Sequence, residues 1–556
     1  MTNLSAQSYR RWLLALAGLG LILRLAFALL PLSEHLVLLE DDAWMVTGIA
    51  RNWAIGRGIT ADGVTPTNGF HPLYPLTLGA LPYLAAPDNL DFGFTANLVI
   101  CAILAALVVW PLSLVVRRLA GDRAALLAVG LYALNPTMIR LTVNGMESAM
   151  ALLLWITTVW ATMRLDLTRL RGNLLLAAIT AAMILTRLDG ALLFAAIAGA
   201  RFLWAWREGR LRRELPPLAG YVAATFALLI PYFWRNLAVF GSFSPSSGQA
   251  LTYLHSYADS YAISNGLDAW YANNALPVAL LGSLPLVFAA LLAFAGLAWW
   301  AVGRELWKAL PMLLYMIVPP IYYGYMMQQD NPRHFTAFSL VITILLAWAL
   351  ARLWERLGRR GALVAGTVAG AVVLLQGLSA AAFWREQHAT ASLTQPTMYQ
   401  AALWMRDNLP AGALIGAKNS GIYQYYSGHS VINIDGKLNH EILAVYEQRS
   451  MLDYLGEKHI TYLIDREATL ADHIQFYSRQ FGERPSHRVP GLAQQLKIYA
   501  QLALKSLGLG AGPTLDRRDG FVPSRPFSDV ATPLQTFARP NESANPVVLF
   551  ELKDSE

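Results

Sequence analysis

Glu40-Asp41-Asp42-Ala43-Trp44 is the stretch from which the rest of the chain is read. It follows an apolar run from Trp12 to Leu32 and opens a mixed segment, 33–92, ahead of the next apolar run. Two adjacent carboxylates just past such a run have ordinary explanations: a helix cap, a charged stop to a membrane span, or solvated loop charge. Their meaning depends on what else shares their side of the molecule.

Composition sets the frame. The chain has 556 residues, 55% of them hydrophobic and 14% charged. That is too apolar for a soluble enzyme and too charged for lipid throughout, so a polytopic membrane protein with a soluble part is expected. The net charge of +7 does not point to nucleic acid, because the arginines fall in short clusters between apolar runs, as in cytoplasmic membrane loops. The one cysteine, Cys101, lies inside an apolar run and reads as a small buried hydrophobe. Tyr9-Arg10-Arg11 could open a signal peptide, but no small-x-small cleavage site follows, so a retained first helix is expected. Arg24 lies within it and should face protein or snorkel to a surface, because a guanidinium in hydrocarbon is costly.

A helix needs about 20 apolar residues to cross a bilayer, which predicts about eleven spans. They are 12–32, 93–116, 124–140, 147–163, 173–187, 190–206, 217–238, 276–302, 309–326, 335–351 and 361–383. The apolar segment 72–84 is too short and proline-rich to span, and reads as re-entrant or interfacial. With the N-terminus in the cytoplasm, alternate loops carry Arg117, Arg118 and Arg123; Arg164, Arg169 and Arg171; Arg207, Arg210, Arg212 and Arg213; Arg304 and Lys308; and Arg352, Arg356, Arg359 and Arg360. Every one of these loops is basic, as the positive-inside rule requires, and the odd span count puts the C-terminus outside.

The opposite side carries sparse charge of both signs at helix ends: Asp41 and Asp42; Arg140 and Glu147; Arg187 and Asp189; Arg235; and Asp330, Arg333 and His334. Each has a plain reading. Glu147 gains from the helix macrodipole, Arg187 and Asp189 could simply pair, and His71 and His334 could be packing residues. The aromatics of loop 241–275 could stack on sugars or form an interfacial belt. Convergence is what matters: packed helices can bring these carboxylates and guanidinium groups together on one external face, where acid–base chemistry on an anionic lipid-linked substrate needs them.

From about Leu393 the composition changes. Helical runs at 398–408 and 422–426 alternate with strands at 413–416, 431–434 and 462–464, and a closing strand is expected at 547–552. The prediction is a small α/β domain at 393–556, outside the membrane, following a transmembrane domain at 1–392. Beyond Ala468 the pattern specifies little else.

The first loop continues with Thr67-Asn68-Gly69-Phe70-His71-Pro72. This order resembles the first extracytoplasmic loop of the GT-C superfamily of polyprenyl-phosphate-sugar-dependent glycosyltransferases, in particular its arabinofuranosyltransferase-like and mannosyltransferase-like branch. Gly145-Met146-Glu147-Ser148, Thr186-Arg187-Leu188-Asp189-Gly190, Trp234-Arg235-Asn236 through Phe240-Gly241, and Asp330-Asn331-Pro332-Arg333-His334-Phe335 are similar to further segments of that branch, with Leu188 where a proline is usual. Trp404 to Pro410, Ser427-Gly428 and Asp435-Gly436 resemble its soluble domain.

The resemblance implies a GT-C-like helical membrane domain in a bacterial inner membrane, with its active site outside. It also implies transfer of a sugar from a polyprenyl phosphate to a glycan, lipid or protein acceptor. Asp41, the first of the pair, is the expected base, with Asp42 secondary. Arg333, Arg187 or Arg235 would hold the departing phosphate, since a guanidinium matches phosphate bidentately. Glu147, Asp189, Asn68, His71 and His334 are candidates for substrate contact. The carboxylates, Asp42 among them, leave open a divalent cation such as Mg, Mn or Ca, whose hard oxygen ligands they would supply. Two other classes compete: a transporter or flippase of a lipid-linked substrate, and a non-catalytic membrane protein with an external binding domain. A transporter would show ionisable groups near the bilayer midplane and internal repeats. Here the charges sit at helix ends and no repeat is visible.

Overall fold

A computed structural model describes residues 5–256, 310–312, 315, 331–389, 394–483, 523–538 and 545–553. The expected spans 276–302 and 309–326 fall outside these residues apart from four positions, as do Asp330, Arg304, Lys308 and the aromatic side chains of the loop before 276.

Among the described residues, four helical stretches are long and apolar enough to cross a membrane: Ala6–Ala28, Leu90–Ala133, Leu211–Phe240 and Pro332–Ala389. Two of these hold a pair of expected spans each. The chain turns on Gly121 (φ 85°) and Gly358 (φ 56°), a left-handed backbone that glycine adopts without the Cβ penalty. Both turns lie among the arginines that mark the basic loops. The remaining expected spans appear as Ser148–Arg164, Leu170–Thr186 and Gly190–Arg207. The span expected at 124–140 ends early, at Ala133, because Asn135 and Pro136 start a new helix, Pro136–Thr142. Asn135 caps it by accepting from the Met138 N–H at 3.1 Å, and proline suits the first helical position.

Large apolar side chains such as Trp12, Leu14, Ile22, Phe226 and Leu363 point outward, as expected where the surrounding solvent is hydrocarbon. Arg24, by contrast, is fully buried. Its guanidinium donates to the carbonyls of Ala133 (3.1 Å) and Tyr132 (3.3 Å) and lies 4.6 Å over the Tyr132 ring. It thus satisfies carbonyls that the end of a helix leaves without intrahelical partners.

The segment after the first helix forms two short helices, Leu32–Leu38 and Asp42–Ala54, and folds back through 78–85. Its core is shared with the C-terminal region. Trp44 stacks on Phe94 at 4.7 Å, Phe94 meets Tyr425 edge-on, and the hydroxyls of Tyr83 and Tyr425 are 2.6 Å apart. One continuous buried cluster joins Trp44, Phe94 and Met146 to Met398, Ile415 and Tyr423. These buried aromatic rings from both parts make one shared core.

The C-terminal region carries a five-stranded sheet: β1 (Leu414–Ala417), β2 (Ser430–Asn433), β3 (Tyr462–Arg466), β4 (Ala531–Phe537) and β5 (Val547–Leu552), in the order β2-β1-β3-β5-β4. β1 pairs in parallel with β2 and β3, Ile415 lying opposite Val431 and Tyr462, while β5 runs antiparallel to β3 and β4. The sheet is therefore α/β, as expected, with an antiparallel edge. β4 is not read from the sequence because Pro533 interrupts it and most of its side chains are exposed. Both features suit an edge strand, where the register shifts between Pro533 and Gln535.

Candidate active site

Where the helix ends, the first loop and the C-terminal domain meet, they enclose a cavity of about 640 Å³. Its wall includes Asp42, His71, Glu147, Arg187, Asp189, Arg333 and His334, all anticipated from sequence, together with Glu40, Met146, Asn331 and Lys437.

Two guanidinium groups organise it. Arg333 donates to Asp42 Oδ2 at 2.5 Å, to Glu40 Oε2 at 3.1 Å and to Met146 Sδ at 3.3 Å. Asn331 Nδ2 holds both oxygens of Glu40 at 2.8 Å, and its Oδ1 accepts the Arg333 backbone N–H at 3.0 Å. That second contact starts the short turn from which Arg333 projects. Arg187 forks onto Asp189, with NH2 at 3.1 Å from Oδ2 and Nε at 3.2 Å from Oδ1, and its NH1 is 3.3 Å from Glu147 Oε1. The predicted pairing of Arg187 with Asp189 is thus present, inside the cavity wall rather than apart from it.

The histidines join this network. Arg187 NH2 lies 2.8 Å from His334 Nδ1, and arginine can only donate, so that nitrogen accepts. His71 Nδ1 accepts the backbone N–H of Leu188 at 3.4 Å, and its Nε2 is 3.9 Å from Glu147 Oε1. The leucine at 188, where a proline was expected, therefore supplies an N–H that proline lacks. Burial pushes the His71 ring below the usual histidine range, which keeps it neutral.

The two aspartates part company. Asp42 faces the cavity. Burial alone would raise its pKa, but the positive charges of Arg333 and Lys437 outweigh that and hold the carboxyl below the ordinary range. Asp41 faces the C-terminal domain, where its two oxygens accept the backbone N–H groups of Gly421 (2.9 Å) and Ile422 (2.7 Å). Burial pushes its pKa up to about 7 in spite of those bonds. The contact needs glycine: a Cβ on Gly421 would lie 2.4 Å from the Asp41 carbonyl oxygen. Adjacent helical residues point about 100° apart, and here Asp42 lines the cavity while Asp41 turns to the C-terminal domain.

Two further expectations change. Arg235 does not line the cavity; it donates to the Thr67 carbonyl at 3.2 Å and sits over the Phe240 ring. Asn68 instead holds the start of the helix Ser246–Ser256, accepting the Ser246 N–H at 3.1 Å. The Arg333 guanidinium lies between Asp42 and Glu40, contacting both. Among the described residues, no three His, Cys, Asp or Glu side chains are grouped to hold an ion. Arg140 lies elsewhere, stacked 4.2 Å over Phe383 beside an apolar groove.

Sequence reading missed Glu40, Asn331 and Lys437. The first two sit inside motifs already singled out, so the signal was present. Lys437 follows Asp435-Gly436, and only the docking of the two parts brings it to the cavity.

Solved structures share this architecture. The oligosaccharyltransferase AglB from Archaeoglobus fulgidus aligns with a TM-score of 0.51 and 15% identity over 86% of this chain and 73% of its own. ArnT from Cupriavidus metallidurans, bound to undecaprenyl phosphate, aligns with a TM-score of 0.55 and 15% identity over 82% of this chain and 93% of its own. The chain has the GT-C fold. Within the GT-C membrane region, residues 89–234 match the family described as dolichyl-phosphate-mannose-protein mannosyltransferase. Residues 382–507 match a domain of unknown function, DUF8728. No curated protein matches the chain.

Proposed function

We propose that this protein is a membrane glycosyltransferase that moves a sugar from a polyprenyl-phosphate donor to a glycan, lipid or protein acceptor outside the cytoplasm. The observation that supports the reading is the Asp42–Arg333 pair in one cavity, a carboxylate able to take a proton beside a guanidinium able to hold phosphate. The lipid phosphates held by relatives of the same fold support it: undecaprenyl phosphate in ArnT and dolichol-phosphate in AglB. The alternating basic loops support an N-terminus in the cytoplasm and a cavity on the far side.

In this mechanism the acceptor hydroxyl attacks the anomeric carbon of the donor sugar. Its proton passes to Asp42 Oδ2 as the new glycosidic bond forms. The bond from the anomeric carbon to phosphate breaks, and the lipid phosphate leaves with the electron pair. Arg333 and Arg187 stabilise the charge that gathers on its oxygens. Without donor, Arg333 engages Asp42; an arriving phosphate competes for the same guanidinium and frees the carboxylate to act. Glu147 and Asp189 keep Arg187 fixed, and Asn331 does the same for Glu40 and Arg333. Asp41 anchors the C-terminal domain and holds the neighbouring Asp42 in place.

The test is purification of the full chain in detergent, incubation with a panel of polyprenyl-phosphate sugars and candidate acceptors, and detection of released lipid phosphate. Release that requires Asp42 supports the reading. Folded wild-type protein that binds none of the lipid phosphates and releases none would overturn it.

A further inference from the structure

Among the described residues three cations line the cavity, and two of them are crowded with partners. Arg187 is held by Asp189, Glu147 and His334, and Arg333 by Asp42, Glu40 and Met146. Lys437 differs. Its ammonium is 3.3 Å from Asp435 Oδ2, its one ion-pair partner among the described residues, and an ammonium has three N–H donors. The Lys437 side chain is 29% exposed while that of Asp435 is wholly buried, so the ammonium sits at the cavity surface with donors to spare.

The backbone of Lys437 is fixed from several sides. Its N–H donates to Asp435 Oδ1 at 3.0 Å, and its carbonyl accepts from Ser246 Oγ at 3.0 Å. Next to it, Leu438 N–H donates to Asn433 Oδ1 at 3.2 Å. The first loop packs so closely here that a Cβ on Gly69 would lie 1.6 Å from the Lys437 carbonyl oxygen. A cation with unfilled donors on a rigid support, beside Arg333 and Asp42, is suited to an anion that arrives with the substrate.

We propose that Lys437 is a ligand of the donor's phosphate, supplied by the C-terminal domain, so that the lipid-phosphate site is complete only when that domain is docked on the first loop. This rests on the glycosyltransferase reading above. Asp435 beside it pushes the Lys437 pKa up, so the ammonium stays charged at neutral pH. A compact ammonium adds charge without the planar fork of arginine, which lets it follow the phosphate as the bond to the sugar breaks.

The experiment uses the full chain in detergent with a short-chain polyprenyl monophosphate as probe and the corresponding alcohol as control. Wild-type protein should be stabilised against thermal unfolding by the monophosphate and not by the alcohol. K437M keeps the apolar stem and should bind the monophosphate about tenfold or more weakly, the loss expected for one charge-assisted hydrogen bond. K437R should recover part of the binding. Should K437M fail to fold, K437Q, which keeps a polar head without the charge, decides the matter in the same binding measurement. K437M or K437Q binding the probe like wild type, or a defect confined to the acceptor KM, would each overturn the assignment. Wild-type protein that binds the monophosphate while K437M is unaffected defeats this proposal alone. Wild-type protein that binds no lipid phosphate and turns over no donor defeats the glycosyltransferase reading with it.

Discussion

Replacing Asp42 by Asn removes the carboxylate proposed to take the acceptor's proton and leaves the side chain's shape unchanged. The new amide oxygen can still accept from Arg333, and Arg333 keeps Glu40 at 3.1 Å. The stability loss should therefore stay below the roughly 1.5–3 kcal/mol of a hydrogen bond to a charged group. Turnover should fall by about two to four orders of magnitude, the range for losing a general base. Donor KM should hold or drop, since Arg333 is freed from one carboxylate. Asp41→Asn should behave in the opposite way. Its amide can accept only one of the two N–H groups of Gly421 and Ile422, leaving the other unmet at about 1–3 kcal/mol, partly offset by the removal of a buried charge. Turnover of that variant should stay within about tenfold of wild type, because the proton acceptor is intact.

The pH dependence separates the two further. Asp42 is depressed, so its pairing stabilises the protein above the ordinary aspartate pKa and is lost as pH falls through the lower folded value. Asp41 is raised from 3.8 to about 7, so the stability it contributes is full at low pH and is lost as pH rises through that interval. Thermal unfolding of wild type between pH 4 and 7 should show this fall, and Asp41→Asn should flatten it. The assay is initial-rate release of lipid phosphate against donor concentration, with unfolding measured in parallel. Asp42→Asn within tenfold of wild type, or Asp41→Asn down by two orders while Asp42→Asn is active, would refute the assignment.

Three other outcomes are expected. Arg333→Lys should recover only part of the activity that Arg333→Ala loses, because lysine keeps the charge without the fork that reaches Asp42 and Glu40 together; full activity would reduce Arg333 to a simple charge. Exhaustive chelation should leave turnover unchanged, since a guanidinium fills the place between the two carboxylates; loss on chelation with recovery on adding a divalent ion would reverse this. Gly69→Ala should force the first loop away from Lys437 and lower both the unfolding temperature and donor affinity; unchanged values in both would mean that the contact is not needed.

Much of the site was legible because chemistry and position along the chain coincide. Charges at helix ends on one side announce themselves, and Asp42, Glu147, Arg187, Asp189 and Arg333 all meet in the cavity. The alternation of basic loops likewise marked the turns at Gly121 and Gly358. Side-chain direction was not legible. Choosing between Asp41 and Asp42 requires knowing which face of a short helix the C-terminal domain covers, and that is set by residues some 380 positions away. Arg235 and Asn68 look like ligands by type, but loops with unmet backbone groups recruited them first. β4 was hidden because an edge strand with a proline carries no alternating pattern.

Arg24 has a consequence for how the chain is built. Its guanidinium finds the Ala133 carbonyl 109 residues later. Until that length has been synthesised and inserted, the first helix carries a charge near its outer end with its long-range partners missing. The first helix therefore enters the bilayer as a provisional segment. It gains its full hold when the helix ending at Ala133 arrives and offers its terminal carbonyls. A chain cut short of residue 133 lacks these carbonyls and should be extracted from the membrane more readily than the full chain.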